Sequence, residues 1–181
     1  MNPTDEDLLR ASLDAEPEAF ELLLARYERR VYGLVLRLCG NAEDAKDLFQ
    51  VVWMQAFTHR ASFKFRSKFG TWLYSLALNQ VRSWRRQQAL RRRRQGDMPA
   101  DPPDPRPGLM DRVLRRDQER ALHQALQRLS PGDQEILTLY YLQDMDYSEL
   151  AQITGKRLAP LRIQVHRALQ RLRRQMEDHE A

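Results

Sequence analysis

The chain has 181 residues, a formal net charge of +5, 42% hydrophobic residues and a single cysteine. No stretch approaches the ~20 consecutive apolar residues of a membrane-spanning helix, so no membrane insertion is expected. The acidic opening, Met1 to Leu13, has no apolar core of a signal peptide, and the expected location is the cytoplasm.

Taken in chain order, the apolar residues recur at helical spacing and nowhere alternate as strands do. Thr4 caps a first helix, with Asp5, Glu6 and Asp7 at its positive end. Pro17 opens a second, whose face carries Phe20, Leu23, Leu24, Tyr27, Val31, Leu34, Val35 and Leu38. Cys39 ends that run and reads as a buried small hydrophobe. Gly40-Asn41 closes the helix, and Asn41 caps a third bearing Ala45, Leu48, Val52 and Ala56, widened by Phe49, Trp53 and Phe57. A fourth starts near Lys68 and runs through Trp72, Leu73, Leu76, Ala77, Val81 and Trp84 into arginines.

The composition then changes. Gly96 to Gly108 holds five of the nine prolines, which remove backbone donors and disfavour helix before them. Such a linker is extended at about 3.1 Å per residue, so thirteen residues span up to ~40 Å, more than one ~34 Å turn of DNA. A new apolar stripe follows: Val113, Leu114, Ala121, Leu122, Ala125, Leu126 and Leu129, broken by Ser130-Pro131-Gly132. The expected fold is all-α: two small helical domains, 1–95 and 111–181, joined by a Pro-rich linker, 96–110.

The charge is unevenly placed: −5 over residues 1–50, +11 over 51–95 and −1 over 96–181. The middle stretch has 11 Lys and Arg and no acid, the footprint of a polyanion partner. Aromatics interleave with these cations: Phe63, Phe65, Phe69, Trp72, Tyr74 and Trp84 among Lys64, Arg66, Lys68, Arg82, Arg85 and Arg86. That pairing suits single-stranded nucleic acid, with cations for the backbone and ring faces for the bases. Phe63 and Phe65 precede the helix and are the expected base contacts, whereas at least two of Phe69, Trp72 and Trp84 are expected in the core.

Asp146 to Arg174 has the pattern of a helix-turn-helix. Asp146 or Ser148 caps a helix from about Tyr147 to Thr154, Gly155 supplies a left-handed turn, and Pro160 opens a helix to about Gln175. Leu161, Val165, Ala168 and Leu172 form the inner stripe of that last helix. Arg162, Gln164 and His166 are placed nearest base edges, because the N-terminal part of the second helix enters the major groove and Arg and Gln read bases there. Arg157, Arg167 and Arg171 are placed on phosphates. No Gly-rich phosphate loop, cysteine pair or nucleophile–base set suggests an enzyme, a cofactor or a metal site, and His59, His123, His166 and His179 lie on separate segments.

Together these residues resemble sigma factors of the extracytoplasmic-function (ECF) class. The resemblance rests on Ala19-Phe20-Glu21, Arg26-Tyr27, Val31-Tyr32, Gly40-Asn41, Asp44-Ala45, Asp47-Leu48, Gln50, Ser67, Phe69, Thr71-Trp72-Leu73, Asn79 and Arg85-Arg86. It continues through Leu129-Ser130-Pro131, Tyr147-Ser148-Glu149-Leu150-Ala151, Gly155, His166-Arg167-Ala168 and Leu172-Arg173. It implies that the Asp44–Gln55 helix grips core RNA polymerase through Asp44, Asp47, Leu48, Gln50 and Gln55. It implies that Phe63, Phe65, Lys68, Asn79, Arg82, Arg85 and Arg86 meet the promoter −10 element, and that the last helix reads the −35 element. An anti-sigma partner wrapped between the domains is compatible with the long linker.

The sequence departs from that pattern at Lys46 and Val51, where acids are usual, at Phe65, near a usual glycine, and at Ser83, where aspartate is frequent. In the turn Lys156 to Pro160, Ala159 takes the expected N-cap, typically ~1 kcal/mol worse than Ser or Thr. A stand-alone helix-turn-helix regulator and a sigma-like adaptor without initiation activity are the alternatives.

Overall fold

A computed structural model describes residues 3–14, 16–95 and 116–180, and every regular element among them is helical. The linker assigned to 96–110, with Val113 and Leu114, lies outside the described residues.

Helix α1 (Asp5–Leu13) starts as the sequence directs. The Thr4 hydroxyl accepts the Asp7 N–H at 3.1 Å while the Asp7 carboxylate accepts the Thr4 N–H at 3.2 Å, a reciprocal capping box. Helix α2 (Pro17–Cys39) has Pro17 in its first turn and ends on Gly40 in the left-handed conformation. Helix α3 (Ala42–His59) is capped by the Asn41 side chain, which accepts the Glu43 N–H at 2.8 Å. A 3-10 turn (Arg60–Ser62) leads to helix α4 (Phe69–Gln95).

These four helices bury Leu9, Leu23, Leu34, Leu38, Val52, Phe69, Leu73 and Leu78 in one core. Acids of α1 fix the start of α4 against α2. The Glu6 carboxylate accepts the Phe69 N–H at 3.0 Å, and Asp5 accepts the Tyr27 hydroxyl at 2.5 Å. Gly70 permits that approach, since a Cβ there would lie 2.9 Å from the Tyr27 hydroxyl oxygen. Cys39 is buried, as expected, and burial pushes its thiol up to about 11. The expectation that at least two of Phe69, Trp72 and Trp84 are buried is corrected: Phe69 alone is fully buried, and Trp72 and Trp84 are half-buried at the edge of the same core.

The second set comprises α5 (Arg116–Gln127), α6 (Pro131–Leu137), α7 (Tyr147–Thr154) and α8 (Leu158–Glu180). Ser130 caps α6, which continues into a π-helical turn over Thr138–Leu142. Asp146 caps α7 in a second capping box with Glu149, and Gly155 closes α7 at φ +69°, a conformation other side chains avoid. Leu161, Val165, Ala168 and Leu172 are all buried, as their spacing predicts. One boundary is corrected. Helix α8 begins at Leu158, and the Arg157 carbonyl accepts the Leu161 N–H at 3.1 Å, so Arg157 rather than Ala159 holds the capping position. Pro160 then lies in the first turn, where a missing N–H costs nothing because those donors have no intrahelical partner.

The two sets pack on one another, with α2 and α4 facing α5, α6 and α7. Gln143 donates to the Arg30 carbonyl at 3.2 Å, and Gln127 donates to that of Arg37.

Phe65 sits at φ +53°, which explains why a glycine is usual near this position. The left-handed conformation costs a side-chain-bearing residue about 1–2 kcal/mol. Its ring recovers part of that through an edge contact to Phe63, 4.9 Å between centroids, and the Arg10 guanidinium 4.5 Å above it. Phe65→Ala keeps the strain and loses both contacts, and is expected to destabilise by ~1 kcal/mol, whereas Phe65→Gly stays within ~0.5 kcal/mol of the parent. Thermal unfolding checks the order, and Ala at or above Gly would remove the strain argument.

Candidate nucleic-acid interface

The cationic stripe maps onto the end of α3, the connection to α4 and α4 itself, and much of it faces the second set of helices. Arg82 grips Glu135 with two nitrogens, at 3.1 and 2.6 Å. The Glu135 side chain is only 8% exposed, so this carboxylate has traded water for the guanidinium. Donating these hydrogen bonds to Glu135 holds Arg82 more firmly charged than usual. Arg85 lies deeper, donating to the Leu38 carbonyl and the Gln134 side-chain oxygen, with Glu135 at 3.9 Å. At the other end of the face, Lys68 reaches Glu149 at 2.9 Å and the Thr71 hydroxyl donates to the same carboxylate at 3.2 Å. Glu149 thereby joins α7 to the start of α4 while its other oxygen accepts the Asp146 N–H of its own cap at 3.0 Å.

Of the seven residues placed on opened DNA, Asn79 and Arg86 are exposed, Phe65 is 36% exposed, and Lys68, Arg82 and Arg85 hold groups of the second set. Phe63 is a correction. It is 6% exposed, wedged among Phe65, Phe69 and Trp72, and so belongs to the core and not to a base. Its position before the helix suggested exposure, but the extended connection folds back over α4 and seals the aromatic cluster. Arg91 to Arg94, near the end of α4, are exposed.

The helix-turn-helix places α8 with Arg157, Arg162, His166, Arg167, Gln170 and Arg171 outward. Several of these already have partners. The Arg162 guanidinium lies 5.4 Å from the centre of the Tyr147 ring. Gln164 is half-buried, donating to Asp133 at 3.1 Å and accepting from Lys156. Arg171 pairs with the other Asp133 oxygen at 2.5 Å. His166 and Gln170 contact each other at 3.1 Å. Asp133, 2% exposed at the start of α6, is therefore the hub that orients α8. Burial alone would push its carboxyl up, but hydrogen bonds from Gln164, Arg171 and Ser130 outweigh it and hold the group below the usual carboxylate range.

Comparison with known proteins matches this architecture. The family model for Sigma-70 region 2 covers residues 23–91, and that for Sigma-70 region 4 covers 119–172. The ECF RNA polymerase sigma factor RpoE of Cereibacter sphaeroides is 32% identical over 178 residues, covering 93% of each chain. The chain is an ECF RNA polymerase sigma factor. CarQ, an RNA polymerase sigma factor of Myxococcus xanthus, is 30% identical over 88% of this chain and 90% of its own. The fold is shared with the sigma factor RpoE solved with the anti-sigma factor NepR from Bartonella quintana, at TM-score 0.75 and 22% identity over 87% of this chain and 96% of that one. CnrH, solved with the cytosolic domain of CnrY, gives 0.72 and 20% over 96% and 97%. An alternative sigma factor directs transcription initiation by RNA polymerase, and the two matched regions fall on the two helical sets. Among the described residues no helix is long and apolar enough to cross a membrane.

In this sigma factor the helix expected to grip polymerase is α3, and its five expected contacts separate. Asp47 and Gln50 are exposed. Asp44 is half-buried and accepts the Trp84 indole N–H at 3.3 Å, and Gln55 is half-buried and accepts from Gln80 at 2.8 Å. Leu48, 8% exposed, is corrected to a core residue: it lies one residue round from Asp47, on the inner side with Ala45 and Val52. The same outer stripe continues through Met54 and Phe57, 63% and 44% exposed, with Leu22 of α2 also exposed. Phe57, expected on the inner face because it follows Phe49 and Trp53 at four-residue spacing, is corrected to this outer stripe.

Leu48→Ala is expected to lower unfolding stability by about 2–4 kcal/mol in urea melts, and Asp47→Ala to stay within ~0.5 kcal/mol. A folded-state carboxyl lowered like that of Asp133 stabilises fully above its unfolded value near 3.8 and loses that contribution as pH falls through the lower folded value. Asp133→Asn is therefore expected to cost ~1–3 kcal/mol at pH 7, with the gap to the parent narrowing as pH falls below 3.8 in parallel melts.

Proposed function

We propose that residues 1–95 bind core polymerase and opened −10 DNA, that residues 111–181 read −35 DNA, and that the chain closes on itself when it holds neither. The observation that carries this is the occupancy of the cationic face. Arg82 and Lys68, placed on promoter phosphates by sequence, hold the carboxylates of Glu135 and Glu149. A face that takes up carboxylates in this geometry is built for anionic oxygens, and phosphate offers the same charge and the same acceptors.

The reading assigns the outer stripe of α3, Asp47, Gln50, Met54 and Phe57, to core polymerase, with Asp44 at its edge. Phe65, Lys68, Asn79, Arg82, Arg85 and Arg86 meet the opened −10 strand, and Arg91 to Arg94 meet flanking phosphates. Arg157, Arg162, His166 and Arg167 meet the −35 duplex, while Gln164 and Arg171 hold α8 in place through Asp133. RNA synthesis belongs to the core enzyme, and this chain supplies recognition, in the cytoplasm where that enzyme works. An anti-sigma factor, the companion of the solved RpoE, would act here by stabilising the closed arrangement.

Two measurements test the reading. Mixed with sigma-free core and promoter fragments, the full chain is expected to yield core-dependent run-off transcripts. Duplex binding without core binding would instead make it a stand-alone regulator, and core binding without transcripts an adaptor. Glu135→Gln with Glu149→Gln keeps side-chain shape and the α7 capping box but removes both charges. The free double variant is expected to bind a single-stranded −10 oligonucleotide roughly tenfold more tightly than the parent, because a larger fraction is open. Equal affinity, with an unchanged radius of gyration, would discard the closure.

A further inference from the structure

The outward face of α8 is not uniformly polar. Ile163 is 54% exposed, and one turn before it Ala159 and Pro160 are exposed as well, next to Leu158 at 44%. They form a continuous apolar edge, at three- and four-residue steps, on the N-terminal turns of the helix. An isolated exposed isoleucine would mean little. This one lies amid cations, with Arg157, Arg162 and Arg167 exposed around it, and it borders an open groove with Asp133, Gln164, Arg167 and Arg171. Of its polar neighbours, Gln164 is fixed to Asp133, and the exposed Arg162 extends to one side, its guanidinium 5.4 Å from the centre of the Tyr147 ring. Ile163 is thus the side chain left projecting from the centre of the surface.

A polyanion that offers an apolar group to such an edge is narrowly defined. In the major groove the base pairs display hydrogen-bonding groups, and the one apolar group among them is the thymine 5-methyl. We infer that Ile163, flanked by Ala159 and Pro160, is a specificity-determining residue that reads a thymine methyl in the −35 element. This rests on the reading that α8 enters the major groove, and it changes how the element is read. Apolar contact at the front of the helix carries sequence selection, and the surrounding arginines carry affinity. Ala159, inside the first turn of α8 and not at its cap, contributes its methyl to this surface.

The test removes single methyl groups. The −35 sequence is first obtained by selecting a randomised promoter library with holoenzyme assembled from this chain and sigma-free core. Each thymine is then replaced singly by deoxyuridine, and holoenzyme affinity is measured with parent chain and with Ile163→Ala. At one or two positions the parent is expected to lose about fourfold, the effect of one methyl taken out of water. Ile163→Ala is expected to bind thymine and deoxyuridine there within twofold of each other. The inference fails if the selected element contains no thymine, if no position responds in the parent, or if the response persists in Ile163→Ala. It also fails if Ile163→Ala weakens assembly with core while leaving the methyl response intact. Arg157→Ala with Arg167→Ala separates this from the underlying reading. If that pair leaves −35 affinity and its salt dependence unchanged, α8 is not on the DNA at all; if the pair weakens binding to every sequence alike while the methyl arm is flat, the groove reading stands and Ile163 is not a reader.

Discussion

Burying the Glu135 carboxylate is the constraint on which the closed arrangement turns. An ion taken out of water is costly unless its partner and hydrogen bonds replace the solvent, and a good geometry roughly balances the loss. Arg82 provides that geometry with a two-nitrogen grip, and the pair brings α6 against α4. From that junction the rest follows by rigid connection. Gln134, next in the helix, meets Arg85, and α7, two turns of chain further on, lands with Glu149 over Lys68 and Thr71. The interface therefore combines one buried ion pair with one more exposed, since the Lys68 side chain is 74% exposed. Screening weakens the second far more than the first. Release of the two sets should accordingly begin at α7 and end at α6.

Such a contact suits a protein that must separate its parts to work. A large apolar interface between the sets would be worth more than promoter and polymerase could repay. An ion pair that roughly breaks even holds the sets together only until a competing anion arrives. On the proposed reading, phosphates compete for the same guanidinium, and the displaced carboxylate regains water as the helices part. The contact thus confers selectivity for state more than stability.

Much of this was legible in the sequence, and the residues that were not share a cause. The caps Thr4, Asn41 and Asp146, the terminators Gly40 and Gly155, and the stripe Leu161, Val165, Ala168 and Leu172 are local, set by chemistry within one or two turns, and the structure has them where the spacing puts them. Phe63 and Leu48 were misplaced because their burial depends on a connection folding back and on which flank of a wide apolar helix meets the core. Periodicity cannot decide between adjacent residues such as Asp47 and Leu48 when aromatic positions broaden the inner face. The roles of Gln164 and Arg171 were hidden for a different reason: both point outward along the helix, and only Asp133, more than thirty residues earlier, draws them in. The pairing of Glu135 with Arg82 was likewise invisible, because a count that finds residues 51–95 free of acid says nothing about acids delivered from another domain.

The two helices proposed to face DNA share one further property that charge counting understates. Neither α4 nor α8 carries an acid in its first turn, although α1, α3, α6 and α7 all do. An acid there satisfies the unpaired N–H groups and the positive end of the helix dipole from within the chain. At α4 that role is taken from outside the helix by Glu6, which accepts the Phe69 N–H, so the helix start is closed and structural. At α8 the turn before the helix offers only Lys156 and Arg157. The positive end of α8 is therefore reinforced by cations where other helices of the chain neutralise it. That is an unfavourable arrangement for a free helix and a favourable one beside a phosphate. It places the strongest attraction for the DNA backbone immediately next to the apolar edge of Leu158, Ala159, Pro160 and Ile163, so that the phosphate contact fixes the depth at which Ile163 meets the bases.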